Sequence, residues 1–312
     1  MARLSGGTLP TGIAQLTDRS DNPSLLLRAA PALFVAIWST GWVSARYGAN
    51  YADPLTFLTL RYAIAFFALS ILILFAKAGW PKGRHAVHAM ISGVLLHAIY
   101  LGGVWYAIAH GLPTGISGLI AAIQPILTAF LAPVLLRERI GPMQWLGVVL
   151  GFLGIALVLE PKLITIDPKH MSETLLPLFI NVVSMISVTA GTFYQKRFIP
   201  SGDLRSITAL QYAGAFCVTL PVAYLLEPMH VVISLPFVLV MAWSVLALSL
   251  GAIGLLLLLI RKGAVSRAAA LIYLVPPSVA IEAYIAFGET LATTQVAGMF
   301  VTVIGVALAT RR

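Results

Sequence analysis

Apolar positions along this chain gather into long runs parted by short polar breaks. The runs cover about 27 to 46, 55 to 76, 86 to 107, 114 to 136, 142 to 159, 174 to 195, 205 to 226, 234 to 260, 266 to 287 and 291 to 310. A helix crossing a bilayer needs about 20 mostly apolar residues. Each run therefore predicts one crossing, and the pattern as a whole predicts an all-α polytopic membrane protein with ten transmembrane helices. The breaks leave little room for a soluble domain. Residues 1–24, with Gly, Pro, Ser, Thr and Asp, read as a mobile polar arm. The run that follows is too long for a removable signal peptide and lacks a small-residue cleavage site, so it is expected to stay as the first helix.

Composition agrees with this picture: 312 residues, 59% hydrophobic and 10% charged, with a mean hydropathy of +0.94. The net charge of +9 gains meaning from its distribution. Sixteen of the 20 Lys and Arg residues fall on the side of the even-numbered connections and both termini: Arg3, Arg19, Arg28, Lys77, Lys82, Arg84, Arg137, Arg139, Lys196, Arg197, Arg205, Arg261, Lys262, Arg267, Arg311 and Arg312. The other side has Arg46, Lys162 and Lys169, and Arg61 lies within the second run. By the positive-inside rule both termini are cytoplasmic. Topology thus accounts for the basic charge, and no nucleic-acid partner is needed to explain it. The lone cysteine, Cys217, excludes an intrachain disulfide.

Displacing the sequence by 150 positions lays "DPLTFLTLRYAIAFF" (53–67) on "DLRSITALQYAGAFC" (203–217), with six of 15 positions identical. A displacement of 151 matches Glu138 with Glu289, Gln144 with Gln295, Gly147 with Gly298 and Gly154 with Gly305. Ten runs thus divide five and five. Because five is odd, the second copy is expected to cross in the opposite sense, giving two inverted five-helix repeats around a central cavity, the arrangement of alternating-access carriers. The boundaries expected are a cytoplasmic arm over 1–24, a first repeat over 25–160, a periplasmic linker over 161–173 and a second repeat over 174–312.

The same displacement puts Pro276 on Pro125, each near the middle of a run, with Pro277 beside it. Proline lacks an N–H and clashes with the carbonyl four residues back, so the turns at Ala121, Ile272 and Tyr273 are loosened. Freed carbonyls in hydrocarbon demand a partner. Paired breaks in both halves therefore point to a polar cavity between the repeats and to helix breaks suited to gating; a plain kink filled by neighbouring side chains is the alternative.

Polar and aromatic residues at mid-depth are the candidate substrate contacts, since polar groups in a membrane face the protein interior. They are Trp38, Ser39, Thr40 and Trp42 on the first run, His97 and Tyr100 on the third and Gln124 on the fourth. Asn181, Ser184 and Ser187 follow on the sixth, Ser244 and Ser249 on the eighth, and Tyr273 and Ser278 on the ninth. Helix-to-helix hydrogen bonding is the competing role for each. His97 with Tyr100, and Trp38 with Trp42, share helix faces by their spacing. Trp80 and Trp105, nearer the run ends, read as interfacial anchors. Arg61 and Glu282 are ionisable and lie at similar depth, about 10 Å below the outer surface by helical rise. They could brace each other; Glu282 alone could carry a proton or reach water in an outward cavity. Gly147, Gly151 and Gly154 form a close-packing face that could join the halves or support a dimer.

Several of these features together, "WST" at 38–40, the arginine of "LRYA" at 60–63, the mid-helix prolines and "LLRER" at 135–139 before a glycine-rich fifth run, resemble the drug/metabolite transporter superfamily of the EamA type. The resemblance runs from about 30 to 310. It implies a ten-helix basket of two inverted halves in a bacterial inner membrane, exporting small metabolites or drugs; amino-acid exporters form one branch, the YddG-like one, and that branch is the expectation here. Thr290 after Glu289, the doubled proline and Glu282 depart from the pattern.

The chain has no HExxH, GxSxG or P-loop, and no Cys/His cluster with metal spacing. Neither an enzyme nor ATP-driven transport is expected, and no cofactor or metal. Secondary export of amino acids, aromatic or otherwise neutral, is the expected function. A nucleotide sugar would call for Lys or Arg at mid-depth. A cationic drug would favour Glu282 and the tryptophans, so proton-coupled drug export is the alternative.

Overall fold

The computed structural model describes residues 25–136, 141–164, 171–251, 255 and 275–309. Among these the chain is helical, with a single β-bridge between Ala52 and Val231. α1 (Leu25–Gly48) and α2 (Pro54–Phe75) match the first two apolar runs, and the third is a continuous rod of α3 (Arg84–Gly93), a π-helical stretch (Val94–Ile99) and α4 (Tyr100–Ala109). The fourth is broken into α5 (Thr114–Ile120) and α6 (Ile123–Leu136). Then come α7 (Pro142–Ile164), α8 (Met171–Phe198), α9 (Leu204–Leu226), and α10 (Leu235–Trp243) running into a second π-helical stretch (Ser244–Gly251). The series closes with α11 (Val275–Phe287) and α12 (Thr293–Ala309).

Among the described residues five helical rods, Pro54–Phe75, Arg84–Ala109, Pro142–Pro161, Leu175–Phe198 and Leu204–Leu226, are long and apolar enough to cross a membrane. Their outward faces carry Phe67, Ile71, Leu74, Phe179 and Leu225, all well exposed. Apolar side chains covering most of the outside suit contact with lipid rather than water.

The helices pack in antiparallel pairs, and small residues set the closeness. A Cβ at Gly147 would lie 2.2 Å from Ala309 N, one at Gly154 2.5 Å from Thr302 N, and one at Gly305 2.4 Å from Gly151 N. α7 and α12 therefore meet backbone to backbone, with numbers rising along one as they fall along the other. The glycine face read from the sequence is thus used inside the chain. α2 and α9 are likewise antiparallel, with Tyr62 stacked on Tyr212 at 5.9 Å and Thr56 against Glu227. Gly118 of α5 lies against Val279 of α11 in the same sense.

One end of the molecule is laced by carboxylates. Asp53 precedes α2 but does not cap it. Its Oδ2 accepts from His230 N at 2.7 Å, while the first amides of α2, Leu55 N and Thr56 N, donate to the Glu227 carboxylate at 2.8 Å each. Glu289 accepts in the same way from Thr114 N and Gly115 N at the start of α5, at 3.1 and 2.9 Å. A carboxylate at a helix N-terminus satisfies orphan N–H groups and the positive end of the dipole. At the opposite end the connections 76–83 and 199–203 border one groove, beside Lys77, Lys82, Arg84, Lys196, Arg197 and Arg205. We refer to these as the latched end and the basic end.

Candidate functional site

The loosened turn expected before Pro125 is present. Between α5 and α6 the ladder passes through Ala121 and Ala122, and the Ala121 carbonyl accepts from Gln124 N at 3.1 Å, a three-residue turn. Pro276 and Pro277 occupy the first turn of α11 as described; Tyr273, also among the candidate contacts, and the Ile272 carbonyl lie outside the described residues.

The two π-helical stretches begin at Val94 and Ser244, 150 positions apart. A π turn widens the helix and leaves carbonyls in need of partners, and such turns gather at functional sites. In the first stretch Ser187 Oγ donates to Leu95 O at 2.9 Å and Tyr62 Oη to His97 O at 2.9 Å, with Ser184 Oγ 3.5 Å from Ile99 O. Ser187, expected as a substrate contact, thereby ties α8 to the third rod, whereas Ser184, also expected as one, donates to Ile180 O of its own helix at 2.8 Å. In the second stretch Ser249 Oγ donates to Ser244 O at 3.1 Å. Ser244 Oγ itself is buried without a partner.

Inside this framework lies a cavity of about 380 Å³, within the roughly 300–1,000 Å³ usual for small-molecule sites. Of the expected contacts, Trp38, Trp42, His97, Tyr100 and Ser249 line it, together with Phe34, Arg61, Trp105, Gln211 and Tyr212. It extends to Gln195 and Leu204, beside the basic end. A narrower crevice shares Trp38, Trp42 and Tyr100 and continues past Gln124 to Pro276 and Thr302.

Trp42 is held from outside the cavity: its Nε1 donates to Ser117 Oγ at 3.2 Å, and Ser117 donates to Asn181 Oδ1 at 3.3 Å. His97 sits 4.7 Å from the Tyr212 ring and 6.1 Å from Tyr62, measured between centroids. Neither of its ring nitrogens makes a hydrogen bond of ordinary geometry. Ser39 and Thr40 turn elsewhere. Ser39 Oγ lies 2.5 Å from Glu282 Oε1, and Thr40 Oγ1 accepts from Trp243 Nε1 at 2.9 Å while donating to Ile37 O.

Two expectations change. Arg61 and Glu282 take different partners: Arg61 Nε and Nη2 both reach Ser249 Oγ at 3.3 Å, whereas Glu282 meets Ser39. Equal depth on two helices does not fix azimuth, and Arg61 turns toward the cavity while Glu282 faces α1. Trp105 is no interfacial anchor. It is 1% exposed and stacks on Phe57 at 4.7 Å between centroids. A tryptophan near a helix end can point inward as readily as outward, and position along the helix does not say which.

Gln211, Tyr212 and Gln195 were not among the sequence candidates. The signal was present in the repeat, where "LRYA" lies over "LQYA", so that Gln211 corresponds to Arg61 and Tyr212 to Tyr62. Close packing places Gln211: a Cβ at Gly93 would fall 2.0 Å from Gln211 O. Its Nε2 donates to Ser92 Oγ and Gln195 Oε1, both at 3.0 Å.

Among known proteins, the chain is 25% identical over 285 residues to the transporter YvbV of Bacillus subtilis, covering 89% of each chain. It is 25% identical over 288 residues to the inner membrane transporter YedA of Escherichia coli K12, covering 91% of this chain and 90% of the other. A probable amino-acid metabolite efflux pump of Salmonella typhimurium is 21% identical, with 85% and 88% covered. An Archaeoglobus fulgidus transporter matches at 28% over 134 residues, 46% of its length. A solved crystal structure superposes with a TM-score of 0.62 over 91% of this chain and 97% of that one at 17% identity, a likeness of fold alone. The family model described as the EamA-like transporter family matches twice, over residues 29–160 and 175–311, and the chain belongs to that family.

Proposed function

We propose that the protein is a secondary exporter of small metabolites, amino acids among them and aromatic or other neutral ones in particular, working by alternating access through the aromatic cavity. The observation that carries this reading is the cavity itself, lined by Trp38, Trp42, His97 and Tyr100, which extends toward the basic end while carboxylates cap helix N-termini at the other. The aromatic faces offer broad amphipathic surface, and the volume suits an amino acid better than a nucleotide sugar. The efflux-pump name of the Salmonella relative points the same way.

The reading includes ten crossings in two inverted repeats over about 25–160 and 174–312, joined by a periplasmic linker over 161–173, with the 1–24 arm and both termini cytoplasmic in a bacterial inner membrane. The antiparallel pairing of α2 with α9 and of α7 with α12 supports the inversion, because these helices correspond under the sequence displacement. The basic end is then cytoplasmic, and the conformation faces inward. Pro125, Pro276 and Pro277 are the helix-break positions that would shift during exchange.

The test is uptake into liposomes of labelled phenylalanine, threonine, methionine, a nucleotide sugar and a lipophilic cation, with and without a pH gradient. Amino-acid uptake that is mutually competed and falls about tenfold or more in Trp38→Ala and His97→Ala is expected. Uptake of the cation alone, driven by the gradient and lost in Glu282→Gln, would replace this reading with proton-coupled drug export.

A further inference from the structure

Arg61 is 4% exposed, lies in a membrane-spanning helix and borders the cavity. Among the described residues no carboxylate pairs with it. Asp53, Glu227 and Glu289 are occupied at helix ends and loops, and Glu282 with Ser39. Its one hydrogen-bonding partner among the described residues is the neutral hydroxyl of Ser249, reached at 3.3 Å by both Nε and Nη2. The proton of that hydroxyl is committed to Ser244 O in the π-helical stretch, so Ser249 presents lone pairs to the guanidinium and fixes its orientation. A guanidinium has five N–H donors. This contact uses two of them and supplies no countercharge.

A charge buried at membrane depth without an opposite charge is strongly unfavourable. A structural role alone would be served by a neutral amide, as Gln211 shows at the corresponding position of the other half. The asymmetry has a use if the missing anion arrives from the cavity. One fixed positive charge balances one carboxylate, which a guanidinium can bind bidentately. A phosphate ester would leave charge in excess. For an ammonium group the described walls offer aromatic faces and amides but no carboxylate.

The geometry points to Arg61 as the specificity-determining anchor for a substrate carboxylate. On this assignment the protein selects amphipathic organic monocarboxylates, and an amino group is tolerated rather than required. The inference rests on the transport reading for its context and adds which end of the substrate is recognised.

Binding to purified protein by calorimetry separates it from transport. The probes are phenylalanine, 3-phenylpropionate, phenethylamine and phenyl phosphate, which share an aromatic ring and differ in charge. Phenylalanine and 3-phenylpropionate are expected to bind within about tenfold of each other, and phenethylamine and phenyl phosphate roughly 100-fold more weakly. Arg61→Gln is expected to weaken both carboxylates roughly 100-fold without affecting phenethylamine, and Arg61→Lys to restore part of the loss. Should the Arg61 variants prove unstable on melting without ligand, the wild-type ranking still decides. Phenethylamine binding as tightly as 3-phenylpropionate, or no binding of either carboxylate, overturns the anchor. Carboxylate binding that depends on Arg61 without uptake of any compound into liposomes leaves the anchor standing and removes the export reading.

Discussion

Trp42 owes its fixed position to a residue 75 positions further along the sequence. The chain from its indole through Ser117 to Asn181 crosses α1, α5 and α8, so a deletion in the middle is felt in the cavity wall. Ser117→Ala should destabilise the protein by about 1–3 kcal/mol, because both neighbours lose a buried partner. A fall in melting temperature in detergent, with a raised KM for the substrate, is the expected outcome. Outside the membrane-spanning segments, Asp203 caps α9 through Arg205 N at 2.9 Å and pairs with the Arg205 guanidinium. The hydrogen bonds from Arg205 hold its carboxyl below the usual 3.8. A depressed carboxylate stabilises above its unfolded value and loses that contribution as pH falls through the folded one. Asp203→Ala should therefore lower the melting temperature at neutral pH, and the difference should shrink below about pH 4; a difference constant across that range would refute the linkage.

Helix ends and helix faces carry the next level of organisation. Glu227 and Glu289 cap helices that belong to the other half of the sequence, so each ties two elements together at the latched end. Glu289→Gln keeps the shape but removes the charge and one of the two oxygens that accept from Thr114 N and Gly115 N. A loss of about 1 kcal/mol is expected, read as roughly fivefold faster hydrogen exchange at those two amides. Where backbones meet, the tolerance is smaller. Gly305→Leu must push α12 away from Gly151 of α7, and a destabilisation of about 1–3 kcal/mol or more is expected, visible as a lower yield and melting temperature of purified protein. The π-helical stretches are the counterpart of these tight contacts. They open the helix wall where the cavity lies, and neighbouring hydroxyls take up the carbonyls they release.

At the scale of the molecule, the cavity extends toward the basic end, and carboxylates cap helices at the other. In a Cys217→Ser background, Thr208→Cys, which lines the cavity toward the basic end, should react with a membrane-impermeant maleimide applied from the cytoplasmic side. Val231→Cys, in the bridge at the latched end, should react only from outside. The reverse pattern would invert the topology read from charge. Substrate added from either side should alter the labelling of both positions if the two ends open in turn.

The sequence by itself determined the apolar, membrane-spanning character of the chain, its helical runs, the twofold repetition and the break before Pro125. Those properties are local or periodic: apolar length, missing N–H groups and matched residues can be counted along the chain. It also supplied Trp38, Trp42, His97 and Tyr100 through shared helix faces. What only the tertiary structure decided was azimuth and partnership. Depth along a helix said that Arg61 and Glu282 could meet, yet rotation about the helix axis turned one to Ser249 and the other to Ser39. Ser184 and Ser187 looked like substrate contacts because a hydroxyl carries no mark of its use; Ser187 donates to a π-helical carbonyl of the neighbouring rod and Ser184 to Ile180 O of its own helix. Gln211 was written in the repeat beside Arg61, but its place in the cavity wall follows from how closely Gly93 lets two backbones approach, which is a property of the pair and of neither helix alone.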